Sequence, residues 1–211
     1  MSKDRILWIN TGGTLVSEPY DDPYDPPGKV KPLDPSISGP LVYSLLAKLN
    51  GHHDKVDGYS YGIHDRLGEA LKAFQKDSKD FGDDDIKALA DIIRADTDHT
   101  NILITHGTDQ MAINAEKLKI ALGDTDKKII FTGSMLPLSM QKKFEGLGDI
   151  EENIEFALGA FDTLKKGVYV AGRNSETMRM QCMAPETVEK DTIESKRDLH
   201  FTLKGRTPGW R

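Results

Sequence analysis

Six short apolar runs, separated by stretches of helical spacing, constrain this chain more than any other feature. The runs lie near Arg5–Asn10, Val56–Tyr61, Asn101–Thr105, Lys128–Thr132, Gly167–Ala171 and Leu199–Leu203, and helices are expected near Leu41–Leu49, Asp84–Ala95, Met111–Leu122 and Ile150–Leu164. Apolar runs of strand length alternating with helical stretches are the pattern of βα units on a parallel sheet. The expectation is an α/β fold: a single three-layer domain with a mainly parallel sheet flanked by helices. Within Met111–Leu122, Met111, Leu118 and Leu122 recur at spacings of seven and four, which puts them on one face against the sheet.

Two of these runs end in turns that hold hydroxyl groups. Thr11-Gly12-Gly13-Thr14 follows Ile6-Leu7-Trp8-Ile9, and His106-Gly107-Thr108-Asp109 follows Ile102-Leu103-Ile104. In open α/β sheets ligands bind outside the carboxyl ends of strands, so two threonines and one carboxylate are expected to meet at one sheet edge. Glycine there allows a sharp turn and close approach. A threonine hydroxyl is a weak nucleophile until a base or a neighbouring charge activates it, so the pattern suits a hydroxyl–lysine–carboxylate relay with a lysine delivered from elsewhere. Asp109 also stands where a residue could simply cap the following helix.

Other chemistries find little support. His52 and His53 are adjacent, no His/Cys cluster has ligand spacing, and neither phosphate-binding glycine pattern is present, so no metal and no cofactor are expected. The net charge of -6 arises from 34 acidic and 28 basic residues mixed along 211 positions, which leaves no footprint for nucleic acid. No apolar run approaches the roughly 18 residues of a membrane span. The start, Met1-Ser2-Lys3-Asp4-Arg5, carries no apolar signal segment, and Cys182, the only cysteine, allows no internal disulfide. A cytoplasmic location is expected, with Cys182 a buried or half-buried filler beside Met178, Met180 and Met183. Residues 1–205 are expected to form one domain and residues 206–211 an exposed tail. The Pro-, Asp- and Tyr-rich stretch from Ser17 to Pro35 is expected to be a lid over the first turn.

The two turn phrases, in this form and order, resemble those of the bacterial-type L-asparaginase/glutaminase family. Asp77-Ser78, the run Gly133-Ser134-Met135-Leu136-Pro137, and Asp149 with Asn153 are similar to further family positions, so the likeness extends roughly from Ile6 to Ala171. The resemblance implies that Thr14, on the turn made by Gly13, is the nucleophile, Tyr24 its lid partner and Thr108 the second catalytic threonine. It implies that Asp109 orients the relay and holds the substrate α-ammonium, that Ser78 binds the α-carboxylate, and that backbone donors at Ser134 help stabilise the oxyanion. The relay lysine falls at Lys190, in Val188-Glu189-Lys190, with Lys196 as the alternative.

The function so implied is hydrolysis of the side-chain amide of L-asparagine, or a related small amide, to acid and ammonia through a threonine acyl-enzyme. Two other readings remain: a catalytically degraded module that binds an amino acid or related ligand as a sensor or subunit, and an amidase for a larger substrate. Thr14-dependent ammonia release separates enzyme from module. Family members usually carry a second, smaller α/β domain that completes a neighbour's site. The resemblance implies that this chain holds only the catalytic domain, and that a homodimer or higher homo-oligomer closes the pocket around a small amino-acid amide.

Overall fold

The computed structural model describes residues 5–19, 31, 33, 45, 56–59, 76–141, 149–192 and 198–205. Tyr24, Lys196, residues 206–211, nearly all of the expected lid and the expected helix Leu41–Leu49 except Leu45 lie outside the described residues. Strands β1 (Ile6–Asn10), β2 (Val56–Tyr59), β3 (Asn101–Thr105), β4 (Lys128–Thr132), β5 (Gly167–Asn174), β6 (Met180–Met183), β7 (Val188–Lys190) and β8 (His200–Leu203) join in one sheet. The order is β2-β1-β3-β4-β5-β8-β7, with β6 paired to β5 off this path. Pairings from β2 to β5 and between β5 and β8 are parallel, while β6 and β7 run antiparallel to their neighbours. The α/β expectation holds.

Alternation along the central strands separates two cores. Leu7, Ile9, Ile102, Ile104, Ile129, Phe131, Val168 and Val170 pack on one face with residues of helices α1 (Asp83–Ala95) and α2 (Met111–Leu122). Ile6, Trp8, Leu103, Ile130 and Ala171 pack on the other with Leu45 and helix α4 (Ile150–Ala160). A further short helix, α3, spans Leu138–Gln141. Burial on both sides explains why the middle strands read as unbroken apolar runs. The indole of Trp8, 1% exposed, still donates to Thr105 Oγ1 at 3.0 Å, so its polar atom is satisfied inside the core.

Helix ends follow local chemistry. Asp83, Asp84 and Asp85 crowd the first turn of α1, where carboxylates oppose the helix dipole, and Asp85 Oδ2 accepts from Gly82 N at 2.9 Å. Gly123, at φ 62, ends α2. Helix α4 stops at Ala160, short of the expected Leu164, because the Ala160 carbonyl is taken up by Thr163 N, Thr163 Oγ1 and Leu164 N in a closing turn. Strand β5 outruns its expected end at Ala171 and turns back into β6, with Asn174 Oδ1 accepting from Glu176 N and Thr177 N in the connection.

The register matters most for the carboxyl edge. Asn10 is level with Thr105, and Thr105 with Thr132, so the turns after β1, β3 and β4 begin side by side. They meet through glycine. A Cβ on Gly13 would lie 2.4 Å from Gly107 Cα, and one on Gly107 would lie 2.7 Å from Ser78 Cβ. Gly107→Ala is therefore expected to cost about 2–4 kcal/mol in urea-unfolding free energy, since backbone would have to separate. In Gly159→Ala the added methyl meets nothing within 4 Å, and that helical substitution is expected to stabilise by about 0.5–1 kcal/mol.

Candidate active site

The strand order reverses direction between β1 and β3, because β1 continues outward to β2 while β3 begins the run towards β5. In this order, ligands bind at the carboxyl ends flanking that reversal. Both hydroxyl-bearing turns stand there. Gly12 and Gly13, at φ 102 and 81, bend the chain after β1, with Gly12 N donating to Asn10 Oδ1 at 3.0 Å and Gly13 N to the Lys76 carbonyl at 3.1 Å. The chain then enters a single 3-10 turn, Thr14–Val16, whose Thr14 carbonyl accepts from Ser17 N and Ser17 Oγ.

A buried polar chain ties these turns together. Asn114, on α2, donates Nδ2 to His106 Nε2 at 2.8 Å and to the Ser78 carbonyl at 3.3 Å. With Nε2 accepting, the imidazole proton sits on Nδ1, which donates to Thr11 Oγ1 at 2.6 Å; Thr11 Oγ1 in turn donates to the Thr105 carbonyl at 2.9 Å. Phe81 and Phe131 meet the ring edge-on from either side. Burial pushes the His106 pKa down to about 3, so the imidazole is neutral at physiological pH.

Thr108 and Asp109 face a lysine from the far side of the sheet. Lys190, on β7, places Nζ 3.0 Å from Thr108 Oγ1 and 2.6 Å from Asp109 Oδ1. Lys79, in the 3-10 turn Ser78–Asp80, reaches Asp109 Oδ2 at 2.7 Å. Partial burial raises the Asp109 pKa, but hydrogen bonds and charge from Lys190 and Lys79 outweigh it, and the net shift is downward. The same hydrogen bond raises the pKa of Lys79. Asp109 does not cap α2: Gln110 occupies the cap position, and no side-chain cap bond is made there.

Ser78 and Ser134 are used differently from one another. Ser78 is 2% exposed and its Oγ accepts from Gln110 N at 3.4 Å, beside Gly107. Ser134 is 1% exposed, with its hydroxyl 2.9 Å from Asp149 Oδ1 and 2.6 Å from the Leu136 carbonyl. Met135 N, Leu199 N and Asn153 Nδ2 also donate to Asp149. Burial nevertheless pushes its pKa up to about 6, against those donors. The Ser134 side chain thus positions the loop that carries the expected backbone donors.

The structure brings Gly13, Ser78, Thr108, Asp109 and Lys190 to the same edge, with Thr14 following Gly13 on its turn. Lys79, His106, Asn114 and Asp149 are the members that motif reading left without a role. His106 lies inside a quoted phrase, and Lys79 is the residue after Ser78, so adjacency was the available signal. Cys182 is half-buried on β6 and burial pushes its thiol up to about 12, which leaves it unreactive as a thiolate. Among the described residues no group of three or more His, Cys, Asp or Glu side chains is placed to hold a metal ion. No helix among them is long and apolar enough to cross a membrane.

The model of the asparaginase family, described as asparaginase, N-terminal, matches residues 5–197. L-asparaginase 1 of Escherichia coli is 29% identical over 140 residues, covering 66% of this chain and 36% of that protein. The crystal structure of L-asparaginase I from Vibrio cholerae superposes with a TM-score of 0.63 at 22% identity, over 98% of this chain and 53% of the other. The thermostable L-asparaginase from Thermococcus kodakarensis gives 0.58 at 19%, over 97% and 57%. These structural likenesses speak to the fold. The chain spans about a third of the length of the curated relative and about half of each solved structure.

His106 and Asp149 should oppose one another as pH changes. His106 titrates lower folded (about 3) than unfolded (6.5), so its contribution is present above 6.5 and lost as pH falls. Asp149 titrates higher folded (about 6) than unfolded (3.8), so its contribution is present below 3.8 and lost as pH rises through 6. Urea titrations from pH 6 to 4 should show His106→Gln differing from wild type in the slope of stability by about 1.4 kcal/mol per pH unit, with the variant falling less on acidification. Parallel slopes would contradict a neutral, buried His106.

Proposed function

Because the chain belongs to the asparaginase family, through that family's N-terminal domain, we propose that it hydrolyses the side-chain amide of L-asparagine or a related small amide. Thr14 Oγ adds to the amide carbonyl, the tetrahedral adduct expels ammonia, and an acyl ester remains on Thr14. Water then adds to the ester and releases the acid. Thr108, Lys190 and Asp109 form the relay that moves protons during these steps. Ser78 contacts the substrate carboxylate, and Tyr24 acts as lid partner to Thr14.

The observation that carries this reading is the Lys190 contact. A lysine 82 positions beyond Thr108 sits at hydrogen-bond distance from both its hydroxyl and the Asp109 carboxylate. A surface lysine has no need of such a pair. The Lys190 side chain is 12% exposed, which keeps its charge effective on a reacting hydroxyl. Backbone N–H groups of the turns around Thr14 and Ser134 are the candidates for holding the developing oxyanion, a task better suited to fixed donors than to the committed Ser134 hydroxyl.

The mouth of this cluster faces solvent, with the Asp109 side chain 39% exposed and that of Lys79 45%. A neighbouring copy in a homo-oligomer would supply a wall over this face, and sedimentation is expected to give a dimer or larger at working concentration.

Ammonia release from L-asparagine and other small amides tests the chemistry. Thr14→Ala is expected to lower the rate about a thousandfold or more, and Lys190→Met by about a hundredfold to ten-thousandfold with little change in ligand binding. Ligand binding with no Thr14-dependent ammonia would replace the enzyme with a binding module.

A further inference from the structure

Asp109 carries a lysine on each oxygen: Lys190 Nζ on Oδ1 at 2.6 Å and Lys79 Nζ on Oδ2 at 2.7 Å. The two cations come from unrelated elements, strand β7 and the turn Ser78–Asp80. The backbone beneath Lys79 is held in place. Asp77 Oδ1 accepts from Lys79 N at 3.0 Å, and Gly107 leaves no room for a Cβ against Ser78. Lys79 is therefore delivered by a fixed turn to the solvent-facing side of Asp109, with its side chain 45% exposed.

This arrangement bears on what the pocket accepts. An ammonium group seeking Asp109 finds both carboxylate oxygens engaged and two like charges beside them, which disfavours its approach. A carboxylate meets the reverse situation. Lys79 can release Asp109 Oδ2 and pair with the incoming anion, leaving Lys190 on Asp109 and Thr108. The neighbouring Asp77 tempers the positive field, but it is buried and its carboxylate already accepts from the backbone of this same turn.

Resting on the amidohydrolase reading, we propose that Lys79 makes this site select small amides that carry a carboxylate and lack a free α-ammonium, such as the monoamide of a dicarboxylic acid. Lys79 acts as the specificity determinant, and Asp109 serves the relay instead of receiving a substrate ammonium. This departs from the role that the family resemblance assigns to Asp109.

Calorimetric binding of succinate and L-aspartate to the full chain tests the proposal, because the two acids differ only in the α-ammonium. Wild type is expected to bind succinate at least about tenfold more tightly than L-aspartate, and Lys79→Gln to erase or invert that preference. Ammonia release from succinamate and L-asparagine is measured in parallel, with the same order expected. Equal or tighter binding of L-aspartate by wild type, failure of both acids to bind, or an unchanged preference in Lys79→Gln overturns the proposal. Retained succinate preference without ammonia release from either amide supports the specificity assignment and removes the enzyme reading instead.

Discussion

The candidate site depends on one steric condition: the turns after β1, β3 and β4 and the turn Ser78–Asp80 must approach until they touch. Gly13 meets Gly107, Gly107 meets Ser78, and Gly133 meets the His106 carbonyl, each at a distance that excludes a Cβ. Parallel register brings the turns level, but level strands stand nearly 5 Å apart, and side chains on the turns would hold the loops farther still. Glycine removes that obstacle. The buried hydrogen bonds from Asn114 through His106 to Thr11 then become short enough to form, and Thr14, Thr108 and Ser78 are brought to the same edge.

What was legible in the sequence follows from the range of the interactions involved. Strands β1, β3 and β4 are buried on both faces, so each writes its location as a local apolar run. Helix α1 announces its start with three aspartates. Strand β7 writes nothing of the kind: Val188-Glu189-Lys190 has one buried apolar residue, and its place is set by antiparallel pairing with β8. That pairing is what aims Lys190 at Thr108. Motif likeness suggested the residue where periodicity could not. The same limit applies to Lys79, which sits in a turn aligned by the single bridge between Gly12 and Lys76. Ser134 shows the reverse case, where a motif position was visible but the partner that commits its hydroxyl, Asp149, lies 15 residues away.

Two electrostatic regimes coexist within this cluster, and their separation has a physical reason. The network beneath the turns is uncharged at neutral pH: His106 is too deeply buried to be protonated, and its neighbours Thr11 and Asn114 carry no charge. A charge there would have no water to solvate it and would push the turns apart. The mouth is ionic, with Lys79 and Lys190 each paired to Asp109 and partly in contact with solvent. The supporting layer thus stays uncharged at neutral pH while the mouth carries the charges.

That division also bears on why Lys190 stands on a strand and not on a loop. The contact from Lys190 to Thr108 is separate from the second oxygen of Asp109, which Lys79 holds. A lysine on a free loop would follow whichever anion was strongest. Anchored on β7, paired to β8 and packed through Val188 at 0% exposure, Lys190 is held within reach of Thr108. Long-range pairing, the feature hardest to read from the chain, is therefore what the Lys190–Thr108 contact rests on.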